Sequence, residues 1–141
     1  MYKKILVPTD ASDFSKKALM EAINMAQIAG SEIVLLNVPH SPDSYWGYTA
    51  SYGIEVKEEA LEQLGKLALE ITLSDITTNV PIKQMIKYGN PVSQIMETIK
   101  EEGIDMVIMG SHGHGFISGT IIGSVSQKVL HQAEIPVLII K

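Results

Sequence analysis

The sequence predicts a doubly wound α/β domain built on a parallel sheet, and three observations predict it. Short apolar runs without polar alternation, Ile5-Leu6-Val7, Ile33-Val34-Leu35-Leu36 and Met106-Val107-Ile108-Met109, suit strands buried on both faces. Between them lie longer segments with apolar residues at helical spacing, so strand and helix alternate along the chain. The length of 141 residues, 45% hydrophobic and 19% charged, suits one domain spanning 1–141 whose core needs no metal or disulfide staple.

The first strand, Ile5-Leu6-Val7, is closed by Pro8-Thr9-Asp10. A helix follows, with Ser12 and Asp13 as capping candidates, an apolar face of Ala18, Leu19, Ala22, Ile23, Ala26 and Ala29, and Gly30 just past its end. After the second strand comes a long loop, about 38–54, which carries Pro39, Pro42 and the aromatics Tyr45, Trp46, Tyr48 and Tyr52. Those aromatics form either a lid or partner surface, or a cluster that packs the loop down. The second helix, about 55–74, has Ala60, Leu61, Leu64, Leu67, Ala68 and Ile71 at apolar spacing. The third strand, about 81–88, interleaves Lys83 and Lys87 with Ile82, Met85 and Ile86, as a sheet edge guarded by charge does. Asn90-Pro91 opens the next helix as cap and first residue, with Val92, Ile95, Met96 and Ile99 inward and Gly103 as its stop. The fourth strand ends at Gly110, a glycine-rich loop leads to a helix carrying Val125, Val129, Leu130 and Ala133, and residues 135–140 form the last strand. The methionines mostly fall at core spacing, Met109 excepted by its place at a strand end.

Sixteen acidic residues against eleven basic ones give a net charge of −5 with no basic tract, a field that repels a nucleic-acid backbone. The absence of cysteine excludes thiolate catalysis and Cys-ligated metal. All eleven basic residues are lysine, so no arginine finger exists in cis. No apolar run has the length of a signal-peptide core or a membrane span, and the expectation is a cytoplasmic protein with no membrane partner.

Five of the eleven glycines lie between Met109 and Ser126, in the segment that joins a buried strand to a helix. Glycine lets backbone approach a ligand closely, and Gly123-Ser124-Val125-Ser126 offers N–H groups and two hydroxyls at a helix N-terminus, where anions bind. The alternative is a flexible connection. Binding is favoured because the loop follows a strand, precedes a helix and faces Pro8-Thr9-Asp10, where a carboxylate can accept from ribose hydroxyls.

These residues resemble the universal stress protein family, and the resemblance covers essentially the whole chain. Gly110-x-x-Gly113, nine residues, then Gly123-Ser124 matches the spacing of the family's ATP-binding branch. Ile5-Leu6-Val7-Pro8-Thr9-Asp10-Ala11-Ser12 is similar to the family's opening, and Pro136-Val137-Leu138-Ile139-Ile140 to its close. The resemblance implies a Rossmann-like domain, a five-stranded parallel sheet in order 3-2-1-4-5 with helices on both faces. It implies ATP as ligand, with Mg or Mn held through the phosphates. Asp10 is then the ribose ligand, Val38 the residue whose backbone meets adenine, and Pro8, Thr9 and Met109 the pocket walls. Gly110, Gly113, Gly123, Ser124, Val125 and Ser126 form the phosphate cradle, joined by His112, His114 and Gly115 of the same loop. His112 stands where many members carry Arg, and Ala11 where Gly is common, a departure expected to be minor.

Rival readings of the same residues are weaker. The pair His112 and His114 has poor zinc-ligand spacing, and its histidine motif follows the fourth strand rather than the first, unlike a nucleotidyltransferase; both histidines are expected to be exposed loop residues. G-x-S-x-G, G-x-x-x-x-G-K-[ST] and G-x-G-x-x-G are all missing. No catalytic residue and no protein-held metal are assigned. The expected function is a nucleotide-dependent stress-response switch with slow or no hydrolysis. The alternatives are a slow ATPase, an autophosphorylating or nucleotidyltransferase-like enzyme, and a nucleotide-free interaction module. The last strand, an edge without lysines in the implied order, is expected to pair with its copy through Val137–Ile140 in a homodimer.

Overall fold

Strand and helix alternate as β1 Lys4–Pro8, α1 Asp13–Ala29, β2 Glu32–Asn37, α2 Glu58–Leu73, β3 Ile82–Ile86, α3 Pro91–Glu102, β4 Met106–Gly110, α4 Ser124–Gln132 and β5 Val137–Ile140. The computed structural model describes residues 2–39, 58–113 and 122–141. All strand pairs are parallel and the sheet order is β3-β2-β1-β4-β5, the order the resemblance implies.

The sheet is buried on both faces, which is why its central strands read as unbroken apolar runs. Ile5, Val7, Ile33, Leu35 and Ile108 point to one side and pack with Ala18, Leu19, Ala22 and Ala26 of α1 and Leu69 of α2. Leu6, Val34, Leu36, Val107 and Met109 point to the other and pack with Val92 and Ile95 of α3 and Val129 of α4.

The helix boundaries follow the capping chemistry. Ser12 caps α1 by accepting the Ser15 N–H, and Gly30 ends it at φ 72°. Asn90 caps α3, Pro91 takes its first position, and Gly103 stops it at φ 64°. Glycine suits both stops because its missing Cβ removes the penalty of the left-handed conformation.

The α2 face differs from the sequence expectation. Gly65, Leu69 and Thr72 are buried, whereas Leu64, Leu67 and Ile71 are 53%, 51% and 45% exposed. The apolar arc of α2 is wider than the sheet can cover, and close contacts choose which part is covered. A Cβ on Gly65 would stand 2.9 Å from the Ile86 side chain, so this glycine lets α2 settle on β3. Met20 departs from the core placement expected of most methionines, being 53% exposed on α1.

Both sheet edges carry the expected strands. On the β3 side, Lys83 pairs with Glu102 at 2.9 Å and Lys87 with Glu101 at 2.6 Å. No helix among the described residues is long and apolar enough to cross a membrane.

Candidate functional site

The strand order sets β2 on one side of β1 and β4 on the other, so the winding reverses between β1 and β4. A crevice outside the carboxyl ends of strands at such a reversal is the usual ligand position in open α/β sheets. Here that position lies beside the Thr9–Ser12 turn after β1 and the Ser111–Gly113 segment after β4, which meet where Gly113 abuts the Asp10 carboxylate.

Hydrogen bonds fix the first wall closely. Thr9 N donates to Leu36 O at 2.8 Å, and Asn37 Nδ2 donates to Thr9 O at 2.8 Å. Asp10 Oδ1 accepts from the Ser12 N–H at 3.0 Å and from the Ser15 hydroxyl at 2.8 Å. The carboxylate is thereby aimed before any ligand arrives. Ala11 sits at φ 67°, a left-handed conformation that costs an L-residue with a Cβ about 1–2 kcal/mol. The departure from glycine at this position, expected to be minor, therefore stores backbone strain beside the Asp10 carboxylate. Among the described residues Asn37 Oδ1 is buried without a hydrogen-bond partner, an omission that costs about 1–3 kcal/mol.

The second wall depends on missing side chains. A Cβ on Gly110 would come within 2.7–2.9 Å of Phe14 Cβ, C and O, so the first turn of α1 rests directly on the end of β4. A Cβ on Gly113 would overlap the Asp10 carboxylate at Oδ2, so that close approach requires glycine too. Gly123 N donates to Ser111 O at 2.6 Å, and a Cβ there would stand 3.3 Å from both Ser111 O and His112 Cα. Gly123 is also the N-cap of α4 and supplies no side-chain cap bond. The amides of Ser124, Val125 and Ser126 precede the first intrahelical bond, Gln127 N to Gly123 O, so they retain the donor character of a helix N-terminus.

The structure brings Gly113 against Asp10, Gly110 against the first turn of α1, and Gly123 against Ser111 and His112, with Pro8, Thr9 and Val38 at the same end of the sheet. Several carry roles other than those the sequence suggests. Met109 is buried in the core among α3 and α4 residues. The Ser126 hydroxyl, also buried, donates to Gly110 O at 2.7 Å and straps α4 to β4, leaving only its amide for a ligand. The expectation that His112 is exposed is wrong: it is 8% exposed. Its ring lies 5.3 Å from the Phe14 ring at a 54° tilt, and its Nδ1 is 3.0 Å from the Ser111 hydroxyl. The turn that seats α1 on Gly110 places Phe14 beside the His112 ring and so contributes to its burial. His114, Gly115 and the 40–57 aromatics lie outside the described residues. Sequence reading missed Ser15, Asn37 and Thr72. Ser15 is recoverable from the Asp10-x-Ser12-x-x-Ser15 spacing, whereas the other two act through contacts distant in sequence.

A doubly wound parallel sheet in the order β3-β2-β1-β4-β5, with helices packed on both faces, defines a Rossmann-like α/β protein. Residues 1–141 match the model of the universal stress protein family, and the chain belongs to that family. It is 31% identical to universal stress protein MJ0577 of Methanocaldococcus jannaschii, covering 100% of this chain and 96% of that one. The solved structure of MJ0577 superposes with a TM-score of 0.72 at 30% identity. Universal stress protein UspA from Lactobacillus plantarum is 26% identical, with a TM-score of 0.69 over 99% of this chain and 98% of that one. Two more distant structures share the fold: a universal stress protein in complex with cAMP, at 23% identity and TM-score 0.64 over 99% of this chain and 96% of that one, and the Archaeoglobus fulgidus protein in complex with dAMP, at 20% and 0.66 over 99% and 98%.

Proposed function

We propose that the chain binds an adenine nucleotide, ATP by preference, in the crevice between the ends of β1 and β4, and serves as a nucleotide-dependent switch in the cytoplasm. The observation that carries this reading is the juxtaposition of the pinned Asp10 carboxylate with Gly113, opposite the uncapped first turn of α4. Asp10 takes the ribose hydroxyls, the backbone of Val38 meets the base, and the amides around Gly113 and Gly123–Ser126 take the phosphates. The cAMP and dAMP held by distant members of the fold are in keeping with an adenine nucleotide, and the choice of ATP rests on the glycine spacing of this chain.

The donor set fits a triphosphate carrying its own cation. No group of three or more His, Asp or Glu side chains among the described residues is arranged to hold a metal. In this reading Mg or Mn is carried on the phosphates, as is usual for such ions with nucleotides. When bound, the cation supplies charge neutralisation at the phosphates. The residues of this chain bind and orient. Fast hydrolysis is not part of the reading, because it needs charge stabilisation and an oriented water, and the chain has no arginine. The committed proton of Ser126 also makes it a poor phosphoryl acceptor.

The same reading includes a homodimer through the edge of β5. Titration calorimetry with ATP and magnesium tests the nucleotide part: saturable binding is expected, weakened at least about 10-fold in Asp10→Ala, since a hydrogen bond to a charged group contributes about 1.5–3 kcal/mol. No saturation up to millimolar nucleotide defeats it.

A further inference from the structure

We propose that Thr72, a helix residue outside every recognisable motif, is a positioning residue for the nucleotide site. Its position is unexpected, since it lies on α2, 63 residues from its partner in the site. Two distances fix the direction of every proton in the chain of contacts. The Thr72 hydroxyl is 2.7 Å from Ala68 O, a carbonyl that can only accept, so the single Thr72 proton is donated there. Thr72 Oγ1 is also 2.7 Å from Thr9 Oγ1, and with its own proton committed it must accept, which makes Thr9 the donor. Thr9 Oγ1 in turn accepts from the Ala11 N–H at 3.0 Å.

A directed relay therefore runs from Ala11 N–H through the Thr9 and Thr72 hydroxyls to a carbonyl of α2. Every polar atom of Thr9 is used within the protein, its N on Leu36 O and its O on Asn37 Nδ2. Thr9 is therefore a strut, and what it holds is the amide of the strained residue next to Asp10, at φ 67°. Thr72 is 1% exposed and Thr9 is 6% exposed, so water cannot replace the missing partner if either hydroxyl is lost. A second link lies nearby, since Lys16 Nζ of α1 donates to Ser74 O at 2.7 Å just past the end of α2. The buried Thr9–Thr72 contact thus couples the seating of α2 to the backbone of Ala11, the residue next to Asp10.

The affinity part of the test rests on the nucleotide reading above; the rest does not. Thr72→Val keeps the shape and removes the hydroxyl, while Thr72→Ser keeps the hydroxyl. Calorimetry with ATP and magnesium is expected to find binding weakened about 10-fold in Thr72→Val and within about 2-fold of wild type in Thr72→Ser. Ala11→Gly in the Thr72→Val background is expected to recover most of the loss, because glycine takes positive φ without support. Wild-type affinity in Thr72→Val, or an equal loss in both variants without recovery, overturns the proposal. If the wild type binds no nucleotide, denaturant unfolding of the Thr72→Val and Ala11→Gly cycle decides it. Coupling of at least about 3-fold in the unfolding constant supports the relay, and additive effects overturn it. If Thr72→Val does not fold, hydrogen exchange on the wild type gives the answer: the Ala11 amide is expected to be protected, and exchange at the free-peptide rate overturns the proposal.

Discussion

At the scale of single residues, the close approach of the two walls depends on the side chain that Gly113 lacks and on the hold kept on Asp10. Asp10 is pinned through Oδ1 by two donors, so its carboxylate cannot swing aside to admit a new atom without losing them. Gly113→Ala puts that atom against Oδ2. The expected outcome is a fall in affinity for ATP with magnesium of at least about 10-fold, with a loss of stability of no more than about 1–3 kcal/mol, because the clash is relieved by shifting a loop rather than the core. Calorimetry and a thermal melt on the same sample separate the two effects. Wild-type affinity with a wild-type melt means the two residues do not meet as described. That Asp10 and Gly113 stand at one end of the sheet was legible from sequence, because each belongs to a local motif with fixed spacing. The contribution of Thr72 was not: a lone threonine in a leucine-rich helix gives no signal until the fold sets it beside Thr9.

At the scale of elements, caps were legible and facing was only partly so. Ser12, Gly30, Asn90, Pro91 and Gly103 act at the ends of their own helices, and local chemistry decides them. The face that α2 turns to the sheet depends on Gly65 meeting Ile86 and Thr72 meeting Thr9, contacts that spacing along one helix cannot contain. A comparable long-range joint ties the starts of β1 and β4. The backbone amides of Lys4 and Lys3 donate to Asp105 at 3.0 and 2.8 Å and hold its carboxyl below the usual carboxylate range. A lowered folded-state value stabilises the fold above the unfolded value, near ~3.9, and the contribution disappears as pH falls through the folded one. Asp105→Asn is therefore expected to reduce the acid dependence of unfolding below about pH 4 and to leave its shape above about pH 6 unchanged. Urea unfolding at several pH values reads this. An unaltered acid limb in the variant removes Asp105 as a source.

At the scale of the whole molecule, the two sheet edges are not equivalent, and the difference bears on assembly. The β3 edge carries Lys83 and is tied to the end of α3 by ion pairs. The β5 edge is Val-Leu-Ile-Ile, half-buried in the monomer. In its pairing with β4, Val107 N bonds Pro136 O and Ser111 N bonds Ile140 O. Both bonding groups of a residue in a parallel ladder point the same way and alternate residues point oppositely, so Val137 and Ile139 present their N–H and C=O outward. An unguarded edge of this kind is a template for a second strand, and a two-fold axis pairs it with itself. Ile139→Pro removes one outward donor and spares the bonds to β4, since proline is accepted on an edge strand. The wild type is expected to be a dimer at micromolar concentration, and the variant to dissociate at least about 10-fold more readily, by about 1.4 kcal/mol or more, while keeping its circular dichroism. Sedimentation equilibrium measures both. A monomeric wild type sinks the dimer, and a variant that dimerises as tightly as wild type moves the interface away from β5.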